Sequence, residues 1–160
     1  MVLLHIVCML LSYVAFLAAF VSGVLFLIQE YQLKHKRMGQ LFHQLPSLDG
    51  LDRFNFLAIS SGFALLSVGT LLGFIGTQLR IGEWWIGDSK EILTLGLWVW
   101  YLILWMVRLR STLRGRRVAL LSVLGFGFVL FTAVGASFLL SSVHPYEAVR
   151  QEVFAQPVQS

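Results

Sequence analysis

Four stretches of mostly apolar residues make up most of this sequence, and they limit strongly what it can fold into. They cover residues 6–28, 54–79, 92–107 and 118–143. A helix that crosses a bilayer needs about 20 mostly apolar residues, and the third stretch alone is shorter than that. Its helix is therefore expected to begin earlier, near Asp88 or Ser89. The pattern predicts an all-α, polytopic membrane protein with four transmembrane helices.

The composition supports a membrane protein rather than a water-soluble one. Of the 160 residues, 58% are hydrophobic and only 12% are charged, which is about half the charged fraction of a typical soluble domain. The one cysteine, Cys8, cannot form an intrachain disulfide, and the chain has no C-x-x-C-H motif of a c-type cytochrome. The first apolar stretch lacks a basic leader and a small-residue cleavage site, so we interpret it as a true spanning helix.

The basic residues predict which side of the membrane each loop faces. Nine lysines and arginines follow the first and third stretches, whereas only three lie on the other side, so the net charge of +4 indicates topology and not a nucleic-acid partner. The nine are Lys34, Lys36, Arg37, Arg53, Arg108, Arg110, Arg114, Arg116 and Arg117, and the three are Arg80, Lys90 and Arg150. This asymmetry predicts that the nine face the cytoplasm and that both termini lie outside.

This topology brings two distant histidines to the same side of the membrane as a tryptophan-bearing loop. His5 precedes the first span, His144 follows the fourth, and the loop from Glu83 to Glu91 joins the second and third. Two imidazoles are a common pair of axial ligands for haem iron, provided that the first and fourth helices are neighbours. Trp84 and Trp85 could contact the porphyrin face. The nearby charges could orient the ligands or pair with haem propionates; they are Glu83, Asp88, Glu91, Arg80 and Lys90.

Each of these features also has an ordinary structural interpretation. A histidine at a membrane surface is more often a polar helix end than a ligand, and tryptophans there usually form the interfacial belt. Asp88 and Ser89 could simply cap the third helix. The other two histidines, His35 and His43, are expected to be solvated in a cytoplasmic loop.

Two local motifs predict helix structure. Ser47 is expected to cap a helix that has Asp49 in its first turn, which would be a short surface helix leading into the second span. The second span contains a G-x-x-x-G motif, Gly69 and Gly73. Such a motif can form a dimer, but we favour packing against this chain's own helices.

Together these residues resemble the cytochrome c assembly proteins of the CcsA/ResC/CcmC type. The resemblance covers nearly the whole chain. It includes Leu4-His5, the segments LPSLDGLDR at 45–53, SVGTLLG at 67–73 and WWIGDSKE at 84–91, the basic run ending at Arg117, and His144. The family's loop commonly reads W-x-W-D-P-K-E, whereas Gly87 and Ser89 replace a tryptophan and the proline here. These replacements suggest the HemX-like branch.

The resemblance implies a function and a set of site residues. His5 and His144 would be the axial ligands of haem b, and Trp84, Trp85 and Asp88 would form its platform. The protein would hold haem at the outer face of a bacterial-type plasma (inner) membrane for delivery to apocytochrome c, with a second membrane assembly subunit as partner. It would be a haem-handling factor more than a stand-alone enzyme.

Two other functions remain open from the sequence. One is a membrane scaffold without haem that steadies a haem-synthesis or cytochrome assembly complex, which the altered loop at Gly87 favours. The other is a quinone-binding anchor subunit. In each case we expect one membrane domain over residues 1–147 and a polar tail over residues 148–160.

Overall fold

The computed structural model describes residues 2–36, 46–82, 84, 89–110 and 115–141. All regular structure in these ranges is α-helical, so the all-α prediction is confirmed. The four helices are α1 (Val2–Lys34), α2 (Leu48–Ile81), α3 (Ser89–Leu109) and α4 (Arg116–Ser141).

Three helices in the described part of the chain are long and apolar enough to cross a membrane. They are α1, the segment Leu48–Arg80 of α2, and the segment Glu91–Leu109 of α3. At 1.5 Å per residue α1 and α2 are each about 50 Å long, which exceeds the ~30 Å of a hydrocarbon core. The helix α4 coincides with most of the predicted fourth span, but four spans and the side of the termini stay predictions.

The helix ends follow local sequence signals. The Ser47 hydroxyl accepts a hydrogen bond from the Gly50 N–H at 3.2 Å, which confirms the predicted cap. The expected short surface helix was wrong, because α2 continues without a break for 34 residues. Its sequence has no proline after Pro46, so nothing forces an interruption. It ends at Ile81 and is capped by Gly82, whose φ of 79° favours glycine, and α3 begins at Ser89 as predicted.

The helices form an antiparallel bundle in which α1 packs against α2 and α4, and α3 packs against the same two helices. Pairs of contacts give the directions. His5 of α1 bonds to Gly69 of α2 while Ala19 bonds to Asn55, and Phe20 of α1 stacks on Phe126 of α4 while Gly23 lies beside Ala119. The helices α1 and α3 meet across the centre, where the fully buried rings of Phe16 and Tyr101 stack with centroids 3.6 Å apart. This is the up-down-up-down arrangement of a four-helix bundle.

Two ends of the bundle can therefore be distinguished. At the His5 end, α1 and α3 begin and α2 and α4 end; at the Arg108 end, the opposite termini meet. All four helices contribute to both ends, so residues distant in sequence are brought together at each.

The glycines of α2 pack against α1. A Cβ at Gly62 would lie 2.6 Å from the Phe16 ring, one at Gly69 would lie 2.9 Å from the Met9 sulfur, and one at Gly73 would lie 3.1 Å from the His5 ring. The prediction that the G-x-x-x-G motif packs within the chain is confirmed.

Candidate functional site

A cavity of about 720 Å³ occupies the His5 end of the bundle, and all four helices contribute to its lining. This volume lies within the 300–1,000 Å³ that is usual for a small-molecule or cofactor site. Most of the lining is apolar. Its polar members are His5, Tyr13, Thr70, Thr77, Arg80, Glu91, Thr94 and Thr132.

The His5 ring lies in the wall of this cavity and is held by α2. Its Nδ1 lies 2.7 Å from the carbonyl oxygen of Gly69. A carbonyl can only accept a hydrogen bond, so Nδ1 carries the hydrogen and, in the neutral ring, Nε2 carries the lone pair. Nε2 is then the nitrogen available to a metal, and a backbone carbonyl on the other nitrogen is the usual support for a ligating histidine.

Two opposite charges lie in the same lining. Arg80, in the last turn of α2, and Glu91, in the first turn of α3, both border the cavity. The exposed guanidinium of Arg80 is suited to carboxylates. The structure therefore brings together three residues that the sequence had assigned to one site: His5, Arg80 and Glu91.

The other predicted site residues are only partly described. Trp84 lies between α2 and α3 and is 62% exposed, and it is not among the described residues that line the cavity. Trp85, Asp88 and His144 lie outside the described residues. In the part of the chain that is described, no group of three histidine, cysteine, aspartate or glutamate side chains could form a metal centre. An axial haem pair needs only two histidines.

Sequence reasoning missed the support that surrounds His5. The Gly69 carbonyl and the space at Gly73 position its ring, and Thr70 and Thr77 add hydroxyls to the lining. The glycine spacing was visible in the sequence as a packing signal, but nothing in it indicated that a histidine would be the packing partner.

A second feature missed in the sequence lies at the Arg108 end. Arg108 was interpreted as part of a basic loop, but it belongs to α3 and is largely buried. Its guanidinium donates from one nitrogen to a carboxylate oxygen of Asp52 at 2.9 Å and from the other to the Asp52 carbonyl at 3.0 Å. The same carboxylate accepts the Gly115 N–H at 3.3 Å, so one aspartate joins α2, α3 and the start of α4.

Comparison with known proteins adds independent information. A family model described as "Cytochrome C assembly protein" matches residues 1–144. The chain is 35% identical over 96 residues to "Cytochrome c biogenesis protein CcsA" of Prochlorococcus marinus subsp. pastoris, which covers 60% of this chain and 31% of that protein. It is 28% identical over 144 residues to the protein of that name from Chlamydomonas reinhardtii, covering 90% of this chain and 40% of that one.

The chain spans about a third of the length of the first of these relatives, and the match to the Synechococcus elongatus protein of the same name has a similar extent. That match is 32% identical over 103 residues and covers 64% of this chain and 32% of the relative. No solved structure matches the chain at a significant level.

Proposed function

The chain belongs to the cytochrome c assembly protein family, and from this we propose that it binds haem in the cavity at the His5 end and presents it to apocytochrome c. The observation that carries the proposal is the His5 ring, which lies in the wall of a 720 Å³ cavity with its Nδ1 bonded to a backbone carbonyl. The name of the CcsA relatives supports a role in cytochrome c biogenesis.

The proposed second axial ligand is His144. The helices α1 and α4 are antiparallel neighbours, so the chain that leaves α4 at Ser141 emerges at the end where His5 lies. His144 follows by three residues, which can span about 10 Å. The requirement that the two histidine-bearing helices be adjacent is therefore met, which supports ligation by this pair.

The remaining predicted residues have a place in the same proposal. Trp84, Trp85 and Asp88 belong to the connection between α2 and α3, whose adjoining ends line the cavity, and they would form the platform, with the two tryptophans as its aromatic part. Arg80 would pair with a propionate. We propose haem b, held without thioethers, because the chain has no C-x-x-C-H motif and Cys8 is buried beside Gly69.

The role of this chain in delivery is to hold and expose haem, because thioether formation uses the cysteines of an apocytochrome. By family resemblance we also propose a second membrane assembly subunit as partner. The basic loops at the Arg108 end would face the cytoplasm of a plasma (inner) membrane, and the haem site would then lie at the outer face.

The test is an absorption spectrum of the detergent-purified protein, oxidised and dithionite-reduced, with His5→Ala and His144→Ala beside it. We expect a low-spin haem spectrum in the wild type and its loss in either variant, because each removes one axial ligand. His35→Ala is a matched control: His35 is exposed at the Arg108 end and bonds to the Tyr31 carbonyl of its own helix. Its spectrum should not change.

Two results would contradict the proposal. A low-spin spectrum that survives both substitutions would place the ligands elsewhere. A colourless wild type that also takes up no added haem would leave the scaffold or the quinone anchor as the better interpretation.

A further inference from the structure

We propose that Gly69 and Gly73 form a notch in α2 that sets the tautomer and the position of the His5 ring, a role that rests on the proposed haem function. The Gly69 oxygen accepts the Nδ1–H of His5 at 2.7 Å, and the ring occupies the space beside Gly73 that a Cβ would crowd. The glycines thus act as positioning residues for a ligand on another helix.

The spacing of four residues has a chemical reason. In an α-helix the carbonyl of residue 69 already accepts the N–H of residue 73, so a second donor must approach its remaining lone pair from the side. A side chain at residue 73 would stand in that approach. A Cβ there would lie 3.1 Å from Cε1 and 3.3 Å from Nδ1 of His5, which is tighter than ordinary contact.

Gly69 contributes differently, because it allows α1 and α2 to approach each other closely. A Cβ at this position would lie 2.9 Å from the Met9 sulfur and 3.5 Å from the Cys8 Cβ. Its absence lets α1 approach closely enough for His5, one turn before Met9, to reach the Gly69 carbonyl. Gly73 then leaves the carbonyl accessible, and Gly69 sets the helix separation.

The consequence for His5 is a fixed tautomer. With the hydrogen held on Nδ1, the lone pair stays on Nε2, and the carbonyl makes the ring a better donor to a metal. Loss of such a supporting hydrogen bond typically lowers metal affinity 10–100-fold. Gly73→Ala should therefore weaken haem binding without removing either proposed ligand.

The first test needs no haem. ¹⁵N NMR of histidine-labelled protein in detergent micelles reports which ring nitrogen is protonated, and His5→Ala assigns the His5 signals. We expect the Nδ1–H tautomer in the wild type and a shift toward Nε2–H in Gly73→Ala. Gly127→Ala is the matched control, because a Cβ at Gly127 meets nothing within 4 Å and this glycine of α4 is not among the residues that line the cavity; its spectrum should match the wild type.

The second test is a haem titration of the same three proteins. Gly73→Ala should raise the Kd 10–100-fold, and Gly127→Ala should leave it within about twofold. A wild type with His5 in the Nε2–H tautomer would overturn the notch, even if Gly73→Ala failed to fold. The proposal would also be contradicted if the two alanine variants had the same His5 tautomer and the same Kd for haem. Failure of the haem function would instead appear as a wild type that takes up no haem, whatever its tautomer.

Discussion

Toward the Arg108 end of the bundle, Asn55 and the Asp52–Arg108 pair bond to polar groups of neighbouring helices, whereas at the His5 end polar side chains line a cavity. Near the Arg108 end, the amide of buried Asn55 donates to the Ala19 carbonyl at 2.7 Å and to the Ser22 hydroxyl at 3.2 Å, and its oxygen accepts from the Ser122 hydroxyl at 3.2 Å. Asp52 and Arg108 pair beside this cluster.

This difference indicates that the polar groups at the Arg108 end stabilise the bundle, whereas those at the His5 end can bind a ligand. A buried polar group is costly unless it is paired, so the clusters around Asn55 and Asp52 hold α1, α2, α3 and α4 in one arrangement. At the His5 end, His5 and Arg80 line the cavity, where a ligand can reach them. One end of the same four helices is therefore fixed by its polar groups, and the other presents them.

The largest expected effect is at the paired end. Asp52→Ala should lower the free energy of unfolding by about 3–5 kcal/mol, because it leaves the largely buried Arg108 guanidinium without its carboxylate. Denaturation of the detergent-solubilised protein would measure the loss. Asp49→Ala, an exposed residue in the first turn of α2, is the control and should cost less than about 1 kcal/mol. Similar losses in the two variants would mean that the pair does not hold the helices together.

A smaller effect is expected from the cluster around Asn55. Asn55→Ala removes three interhelical hydrogen bonds, and at about 0.6 kcal/mol each within a membrane the loss should be about 2 kcal/mol. The control is Ser61→Ala, an exposed serine whose hydroxyl bonds to its own helix; it should change stability by less than about 0.5 kcal/mol. The same denaturation assay applies. An Asn55→Ala protein as stable as the control would show that this cluster adds nothing.

The smallest effect belongs to the open end and concerns binding. Arg80→Gln should weaken haem binding about fivefold, because an exposed ion pair contributes up to about 1 kcal/mol, while the unfolding free energy stays unchanged. A haem titration measures the change. Arg53→Gln removes the same charge from an exposed site at the other end and should leave the affinity unaltered. Equal haem affinities in the two variants would show that Arg80 does not contact haem. A lower unfolding free energy in Arg80→Gln would show that polar groups at the His5 end also stabilise the bundle.

Much of the local structure could be predicted from the sequence. The Ser47 cap and the start of α3 at Ser89 depend on neighbouring residues and were correct. The surface helix before the second span was wrong, because α2 simply continues from its cap into the apolar stretch. For the site, the sequence identified His5, Arg80 and Glu91 as candidates. The hydrogen bond between His5 and the Gly69 carbonyl could not be predicted from it.

The sequence by itself determined that the chain is helical, where the three membrane-length helices of its described residues lie, and which family it belongs to, because these follow from apolar runs, caps and motifs along the chain. Only the tertiary structure decided which helices are neighbours and which face each one turns inward. In a membrane protein both lipid and core are apolar, so hydrophobicity does not distinguish the two faces. The His5–Gly69 bond and the Asp52–Arg108 pair depend on those faces, and so they emerge only when the four helices pack together.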